Sequence, residues 1–284
     1  MTSADEKPAS SASGAARTAG DAAGAPLLAC RALSKRFGGI QALAGVDFSI
    51  PRCAIHGLIG PNGAGKTTLF NILTGLYQPD SGGFMLDGRT LSGLPPDRIA
   101  ARGVARTFQN IRLFGNLSVL DNVMIGRHVR TRAGVFGALL RNRATRDEER
   151  QIHARALALL EYVGIASRAG EVARHLPYGD QRRLEIARAL ATDPQLLALD
   201  EPAAGMNRTE SAALRKLLER IRAAGTTIFL IEHDVRLVMG LCDRVMVLDY
   251  GRKIADGAPR EVQSDARVIE AYLGAGAGAA GGAR

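Results

Sequence analysis

The residues best suited to chemistry lie between Gly60 and Thr67, which read G-P-N-G-A-G-K-T and match the pattern G-x-x-x-x-G-K-[ST]. The glycines let backbone N–H groups turn inward around a phosphate, because no Cβ stands in the way. Lys66 can reach the β- and γ-phosphates, and the Thr67 hydroxyl can ligate Mg²⁺. The sequence therefore predicts a loop that binds a nucleoside triphosphate. Its predicted contacts are Gly60, Pro61, Asn62, Gly63, Ala64, Gly65, Lys66, Thr67 and Thr68.

Two acids and a histidine follow apolar runs further along the chain: Asp200, Glu201 and His233. A carboxylate at the end of a buried strand is costly unless it is paired or bound to a metal, so we expect Asp200 to share Mg²⁺ with Thr67. Glu201 would then face the γ-phosphate and could orient or deprotonate a water. A solvated turn is the alternative for the two acids, and a structural histidine is the alternative for His233. That histidine nevertheless follows a predicted strand, at the sheet edge where such folds bind ligands.

The surrounding segments predict the elements that position these side chains. A short apolar run, 54–59, precedes the loop as a buried parallel strand would, and apolar residues at helical spacing follow it. Val46, Phe48 and Ile50 alternate with polar residues, which is the period of a half-buried strand. From about 117 to 174 the pattern turns helical. We therefore predict an α/β core that contains an inserted helical subdomain, at about 110–192.

Composition limits the class of protein. The chain has 284 residues, of which 46% are hydrophobic, and no apolar run approaches the ~18 residues of a membrane-spanning helix. Residues 1–25 and 274–284 lack apolar periodicity and are predicted to be disordered tails around a single domain, 26–273. The three cysteines are far apart, which predicts a reducing compartment without a disulfide framework or a zinc site.

The net charge of +9 is concentrated in one segment, since eleven arginines and four acids lie between Arg98 and Arg150. Three interpretations compete: a nucleic-acid surface, apposition to an anionic membrane, or a solvated helical face. No aromatic residues alternate with these arginines as a single-strand binder needs, so no nucleic-acid partner is expected.

Taken together, these motifs resemble the ATP-binding cassette family of transport ATPases over the whole folded body. The matching residues are the Walker A loop at 60–67, Gln109 as Q-loop, a signature-like stretch at 176–181, the Walker B strand ending at Asp200, a D-loop at 204–207 and His233. Within the family the chain is most similar to the ATPase subunit of branched-chain (hydrophobic) amino acid importers. That closer resemblance rests on R-T-F-Q-N-I-R-L-F, on the Y-G of the signature and on L-E-I-A-R-A-L, D-E-P-A-A-G-M-N and I-E-H-D-V-R-L-V-M-G.

The resemblance implies a fold, roles and partners. The fold would be a P-loop NTPase core of the RecA-like type, with a mixed sheet, an antiparallel β region and the helical insert. Two cassettes, identical or paralogous, would sandwich two ATP molecules with Mg²⁺. Phe37 would stack on adenine, although packing is the alternative for that residue. Gln109 would sense Mg²⁺ and the γ-phosphate, Glu201 would be the general base, and His233 would hold the γ-phosphate and the water.

The same resemblance implies a place at the membrane. The segment 113–143 would face membrane-spanning permease subunits at the cytoplasmic side of the inner membrane, and a periplasmic substrate-binding protein would take part indirectly. The basic segment would then lie near the anionic leaflet. Two alternatives stay open: a lipopolysaccharide-export-type ATPase and a soluble, non-transport cassette ATPase.

The signature departs from the usual L-S-G-G-Q of the family. The residues that would meet the opposite ATP are Pro177, Tyr178, Gly179 and Asp180. Pro177 supplies no hydroxyl, while the helix start can still offer N–H groups to a phosphate. If the Asp180 carboxylate points at the nucleotide, repulsion is expected to weaken closure of the ATP sandwich.

Overall fold

The computed structural model describes residues 25–130 and 143–277. The predicted N-terminal tail therefore lies almost wholly outside the described residues. So do most of the predicted C-terminal tail and 131–142 of the arginine-rich segment.

A six-stranded sheet forms the centre of the fold. Its strand order is β10-β9-β3-β8-β7-β6, and all neighbours are parallel except β10, which is antiparallel to β9. Strands β3, β7 and β8 are buried at every position, because both faces of the sheet are covered. The apolar run before the loop is thus a buried parallel strand, as predicted. The strands are β3 (Ile55–Ile59), β6 (Val104–Arg106), β7 (Leu196–Asp200), β8 (Thr227–Ile231), β9 (Arg244–Asp249) and β10 (Arg252–Gly257).

A four-stranded antiparallel sheet, ordered β2-β1-β4-β5, covers one face. Val46, Phe48 and Ile50 are buried and the residues between them are exposed, so the predicted alternation is confirmed. Their side chains join one apolar core with Phe70 and Phe229, on one side of the central sheet. The strands are β1 (Leu28–Phe37), β2 (Ile40–Ile50), β4 (Ser81–Leu86) and β5 (Arg89–Thr90).

Helices form most of the described chain between β6 and β7. Short 3₁₀ turns at His128–Arg130, Ala166–Arg168 and Ala173–His175 connect them. Leu159, Leu160 and Leu184 belong to a second apolar core, which continues onto the opposite face of the central sheet. The helices are α1 (Lys66–Leu73), α2 (Pro96–Ala101), α3 (Val119–Arg127), α4 (Arg143–Val163), α5 (Tyr178–Leu190), α6 (Arg208–Ala223), α7 (Val235–Leu241), α8 (Pro259–Ser264) and α9 (Ala266–Ala277).

Three boundaries differ from those that the sequence pattern indicates. The run from Val104 to Phe108, which the pattern indicates as a strand ending at Gln109, is a strand only as far as Arg106. Phe37, which the pattern S-K-R-F-G-G places in a turn, is the last residue of β1 and lies before that turn. The C-terminal tail expected from 274 begins within α9, which continues to Ala277. Alanine favours helix strongly enough to extend this one despite the interspersed glycines.

Among the described residues, no helix is both long enough and apolar enough to cross a membrane.

Candidate functional site

The loop between β3 and α1 has the backbone that a phosphate cradle requires. Gly60, Gly63 and Gly65 have φ values of 151°, 82° and 101°, a region that side chains disfavour. A Cβ at Gly60 would lie 2.1 Å from the Leu248 carbonyl oxygen, and one at Gly65 would lie 2.5 Å from the Ala42 oxygen. No other residue could therefore replace these two glycines without a shift of the backbone. The predicted loop geometry is present.

Lys66 is the first residue of α1 and is buried. Its Nζ donates hydrogen bonds to the carbonyl oxygens of Gly60 (2.7 Å) and Pro61 (2.9 Å), so the side chain curls back over its own loop. Burial lowers the pKa of Lys66, and the nearby Glu201 and Asp200 carboxylates oppose that shift. The ammonium group therefore lies at the mouth of the loop, within the field of both acids. Thr67, one residue further, is exposed and free to present its hydroxyl.

Asp200 ends β7 with a buried carboxylate, as predicted, but its partner in the structure is a residue that was not predicted. Arg106, at the end of the neighbouring strand β6, donates to Asp200 Oδ2 at 2.9 Å. Its other terminal nitrogen donates to Asn71 Oδ1 (2.7 Å) on α1 and to Thr74 Oγ1 (3.1 Å) at the C-cap of that helix. Burial lowers the pKa of Arg106, and the hydrogen bond to Asp200 counteracts this. The carboxylate of Asp200 is thus neutralised within the chain.

Glu201 joins two other predicted residues in one cluster. Gln109 Nε2 donates to Glu201 Oε2 at 2.8 Å, and His233 Nε2 lies 2.6 Å from Glu201 Oε1. These residues come from three separate segments of the chain, and the parallel strands β7 and β8 bring two of them to one edge. A carboxylate held between an amide and an imidazole is fixed in orientation, which is what a general base needs.

The backbone around Glu201 has an uncommon conformation. Glu201 has a φ of +48°, and its N–H donates to the Ile231 carbonyl at 2.9 Å. Buried Glu232 accepts hydrogen bonds from the N–H groups of Ala203 (2.8 Å) and His233 (3.1 Å). Burial raises the pKa of Glu232. This second acid, which the sequence did not single out, connects the main chain after Glu201 to that of His233.

The predicted signature residues begin α5, with Pro177 at the N-cap. Tyr178 packs toward the D-loop, since a Cβ at Gly205 would lie 3.4 Å from its ring. Gly179 faces Glu210, whose Oε1 would lie 3.0 Å from a Cβ at that position. No hydrogen bond or ion pair within the described ranges joins the signature to Gly60–Thr67, so the chain does not bring these two sites together.

The Asp180 carboxylate has cationic partners. Its Oδ2 lies 3.2 Å from Arg168 Nε, and its Oδ1 lies 3.9 Å from Arg183. The repulsion expected for a carboxylate aimed at nucleotide is therefore reduced, because the adjacent arginine supplies the opposite charge.

Phe37 is 41% exposed at the end of β1. Its ring makes an edge contact with Tyr77, with centroids 5.2 Å apart, and Lys35 Nζ lies 5.5 Å from its centroid. The exposed face remains available for stacking.

Two buried charged residues of α5 were also missed. Arg182 and Glu185 are fully buried and paired at 2.8 Å, and both contact the main chain at Phe108. Their signal in the sequence was weak, because they are two charged residues three positions apart among the apolar residues of the helix. Arg106 left a clearer signal, a lone arginine in a short apolar strand.

The site fits ATP and Mg²⁺. The glycine cradle and Lys66 suit a triphosphate, and Thr67, Gln109 and Asp200 offer the oxygen ligands that Mg²⁺ prefers. Within residues 25–130 and 143–277, no cluster of three or more His, Cys, Asp or Glu side chains forms a separate metal centre.

Comparison with known proteins supports the same interpretation. The family model described as ABC transporter matches residues 43–204, and a second, described as Branched-chain amino acid ATP-binding cassette transporter, matches 252–278. The chain is 47% identical over 250 residues to the high-affinity branched-chain amino acid transport ATP-binding protein LivG of Salmonella typhimurium, covering 88% of this chain and 98% of that protein. It is 43% identical over 250 residues to the corresponding protein BraF of Pseudomonas aeruginosa, covering 88% of this chain and 98% of BraF.

A solved structure is similar over the same length. The ADP conformation of MJ1267, an ATP-binding cassette of an ABC transporter, superposes with a TM-score of 0.77 at 29% identity. The match covers 88% of this chain and 100% of that one.

Proposed function

The chain belongs to the ABC transporter family, and from this we infer that it is the ATP-hydrolysing subunit of an importer for branched-chain or other hydrophobic amino acids. The match of residues 252–278 to the branched-chain amino acid cassette model favours this function over an export ATPase or a non-transport cassette. The observation that carries the catalytic part is that Gln109 and His233 both contact the carboxylate of Glu201, close to Lys66.

We propose the following roles for the residues of this site. The loop amides and Lys66 hold the phosphates, and Phe37 stacks on the adenine. Glu201 accepts a proton from the attacking water, while His233 and Gln109 hold its two oxygens. Thr67, Gln109 and Asp200 would hold Mg²⁺, which would supply positive charge beside the phosphates.

A second cassette, identical or paralogous, completes the site in this proposal. The signature at the start of α5 forms a helix N-terminus suited to a phosphate, yet no described ion pair or hydrogen bond joins it to the loop of the same chain. Two chains that face each other would place each signature over the partner's ATP. Pro177 offers no hydroxyl there, so the N–H groups at the helix start, including that of Gly179, would make the contact.

The surface proposed for the membrane-spanning subunits lies beside Gln109. A cavity of about 540 Å³ separates the core from the helical part and is lined mostly by apolar side chains. Leu76, Phe114 and Val129 at this cavity are 48%, 48% and 42% exposed, which is unusual for large apolar residues in one place. Arg106 and Arg112, from the described part of the arginine-rich segment, line this cavity as well. We therefore place the permease here, at the cytoplasmic face of the membrane, with a periplasmic substrate-binding protein acting through the permease.

The experiment has a catalytic arm and a partner arm. The full chain should hydrolyse ATP, and Lys66→Ala should weaken ATP binding by about ten- to a hundred-fold, because a charge-assisted contact to the phosphates is lost. Lys216→Ala, at an exposed position of α6, is the matched control and should bind as the parent does. Equal ATP affinity in the Lys66→Ala variant would contradict the phosphate role.

For the partner arm, the tagged chain is recovered from solubilised membranes and its partners are identified. Permease subunits are expected to co-purify, and Phe114→Asp should release them while leaving ATP affinity unchanged. Recovery without any membrane protein would contradict the transport role.

A further inference from the structure

The start of α5 and the residues around Gln109 are connected by a buried ion pair. Arg182 and Glu185 are 0% and 1% exposed, and Arg182 Nη1 donates to Glu185 Oε2 at 2.8 Å. A buried ion pair is a poor source of stability, since apolar side chains of similar volume often stabilise a protein as well or better. What a buried ion pair does provide is a fixed orientation of its side chains. The groups that Arg182 and Glu185 hold in place therefore indicate the role of the pair.

Those contacts are with the main chain that carries Gln109. Arg182 donates to the carbonyl oxygens of Phe108 (2.7 Å) and Gln109 (2.9 Å). Glu185 Oε1 accepts from the N–H of Phe108 (3.2 Å) and the N–H of Arg112 (3.5 Å). A planar guanidinium that binds two successive carbonyls leaves little freedom to the segment between them. The Gln109 side chain then reaches Glu201 at 2.8 Å.

Arg182 also contacts the signature, because its Nη2 donates to the Tyr178 hydroxyl at 3.2 Å. The Tyr178 ring in turn lies beside Gly205 of the D-loop. A glycine, which the usual family signature has at the position of Tyr178, could make neither contact. Arg182 and Tyr178 together thus connect the Phe108–Gln109 main chain with the D-loop.

We infer that Arg182 and Glu185 are positioning residues for ATP hydrolysis, which hold the Phe108–Gln109 main chain so that the Gln109 amide reaches Glu201. Tyr178 connects this arrangement to the signature. The inference rests on the proposed ATPase function and adds to it the residues that position Gln109.

The test replaces both charges at once. Arg182→Met with Glu185→Leu removes the hydrogen bonds without leaving one charge buried alone, so the chain is expected to fold. The full chain carrying both changes should lose about ten- to a hundred-fold in kcat, because small misplacements of a catalytic group have effects of this size. Its KM for ATP should stay within about two-fold, since the phosphate loop is untouched. Arg215→Met with Glu219→Leu removes an exposed ion pair on α6 and serves as the control.

Adding Gln109→Ala to the Arg182→Met, Glu185→Leu variant separates loss of Gln109 positioning from a general disturbance of the fold. If the pair acts through Gln109, that substitution should cost far less kcat in the double variant than in the parent chain. Effects that multiply independently would overturn the inference, and so would a parent-like kcat in the double variant. If the double variant does not fold, Arg182→Lys keeps the charge but cannot bind both carbonyls as a fork does. A parent-like kcat for Arg182→Lys would then overturn the inference.

ATP hydrolysis by the parent chain distinguishes a failure of this inference from a failure of the proposed function. Absence of ATP hydrolysis by the parent would defeat the proposed function itself. Hydrolysis by the parent with no effect of the α5 substitutions would defeat only this inference.

Discussion

Arg106→Met tests how the buried carboxylate of Asp200 is tolerated when no nucleotide is bound. The substitution keeps much of the apolar volume that packs near Phe70 and Phe108 but removes the cation. Asp200 would then be a buried charge with no arginine partner. The prediction is a less stable nucleotide-free protein, because an uncompensated carboxylate in the interior is costly.

The magnitude follows from the geometry of the pair. The side chains are 6% and 7% exposed and the nitrogen–oxygen distance is 2.9 Å. At an effective dielectric constant near 20, unit charges at that distance attract by about 6 kcal/mol, before the cost of desolvation is subtracted. Removing one partner of such a pair typically costs about 3–5 kcal/mol of unfolding free energy. For a chain of this size that corresponds to a fall of roughly 6–20 °C in Tm.

Thermal unfolding of the full chain, with and without Mg²⁺-ATP, measures this fall in Tm. In the absence of nucleotide, Arg106→Met should melt well below the parent. Mg²⁺-ATP should narrow the gap, because a divalent cation beside Asp200 replaces part of the lost positive charge. Arg106→Met combined with Asp200→Asn should recover much of the loss, since no buried charge is left alone.

Lys35→Met provides the matched control, because the Lys35–Asp80 pair is also close, at 2.7 Å, but its carboxylate is 45% exposed. Solvent screens a pair that is exposed in this way, so the control should lower Tm far less than Arg106→Met does. The reasoning would be refuted if Arg106→Met melted within about 3 °C of the parent, or shifted no more than Lys35→Met.

Three further outcomes are expected. Glu201→Gln should reduce ATP turnover by about 10²–10⁴-fold while ATP affinity is kept, and near-parent turnover would remove Glu201 as the base. Asp180→Gln should leave the KM for ATP of the assembled complex within about two-fold, because Arg168 already offsets the carboxylate; a large fall in KM would show that repulsion persists. Burial lowers the pKa of His56 to about 4, against the influence of Asp256 and with Arg244 and Lys253 adding to the shift. Between pH 6.5 and 4 the unfolded chain therefore binds the extra proton, so unfolding free energy falls by up to about 3 kcal/mol as pH drops through that window. His56→Leu should make the unfolding free energy depend less on pH between 6.5 and 4, as measured by denaturation at several pH values. An unchanged pH dependence would contradict the role given to His56.

Short-range patterns predicted much of the fold correctly. The loop at Gly60–Thr67, its preceding strand and the alternation in β2 could all be predicted, because each depends on residues that are neighbours in sequence. Element ends were less accurate: the strand at 104 stops earlier and the last helix runs further than predicted. A strand or helix ends where the sheet or the core no longer provides hydrogen-bonding or packing partners. The spacing of neighbouring residues carries no information about that point.

For the site, too, the sequence predicted one part and only the tertiary structure showed the other. The sequence by itself singled out Lys66, Asp200, Glu201 and His233 as candidates, since each follows or ends a strand or loop that the neighbouring residues predict. Only the tertiary structure decided what they contact. Arg106 reaches Asp200 across 94 residues, and Arg182 reaches the Phe108 carbonyl across 74. Such pairings arise where strand order and helix packing bring distant segments together, and the penalty for burying an unpaired charge then selects the partner that is within reach.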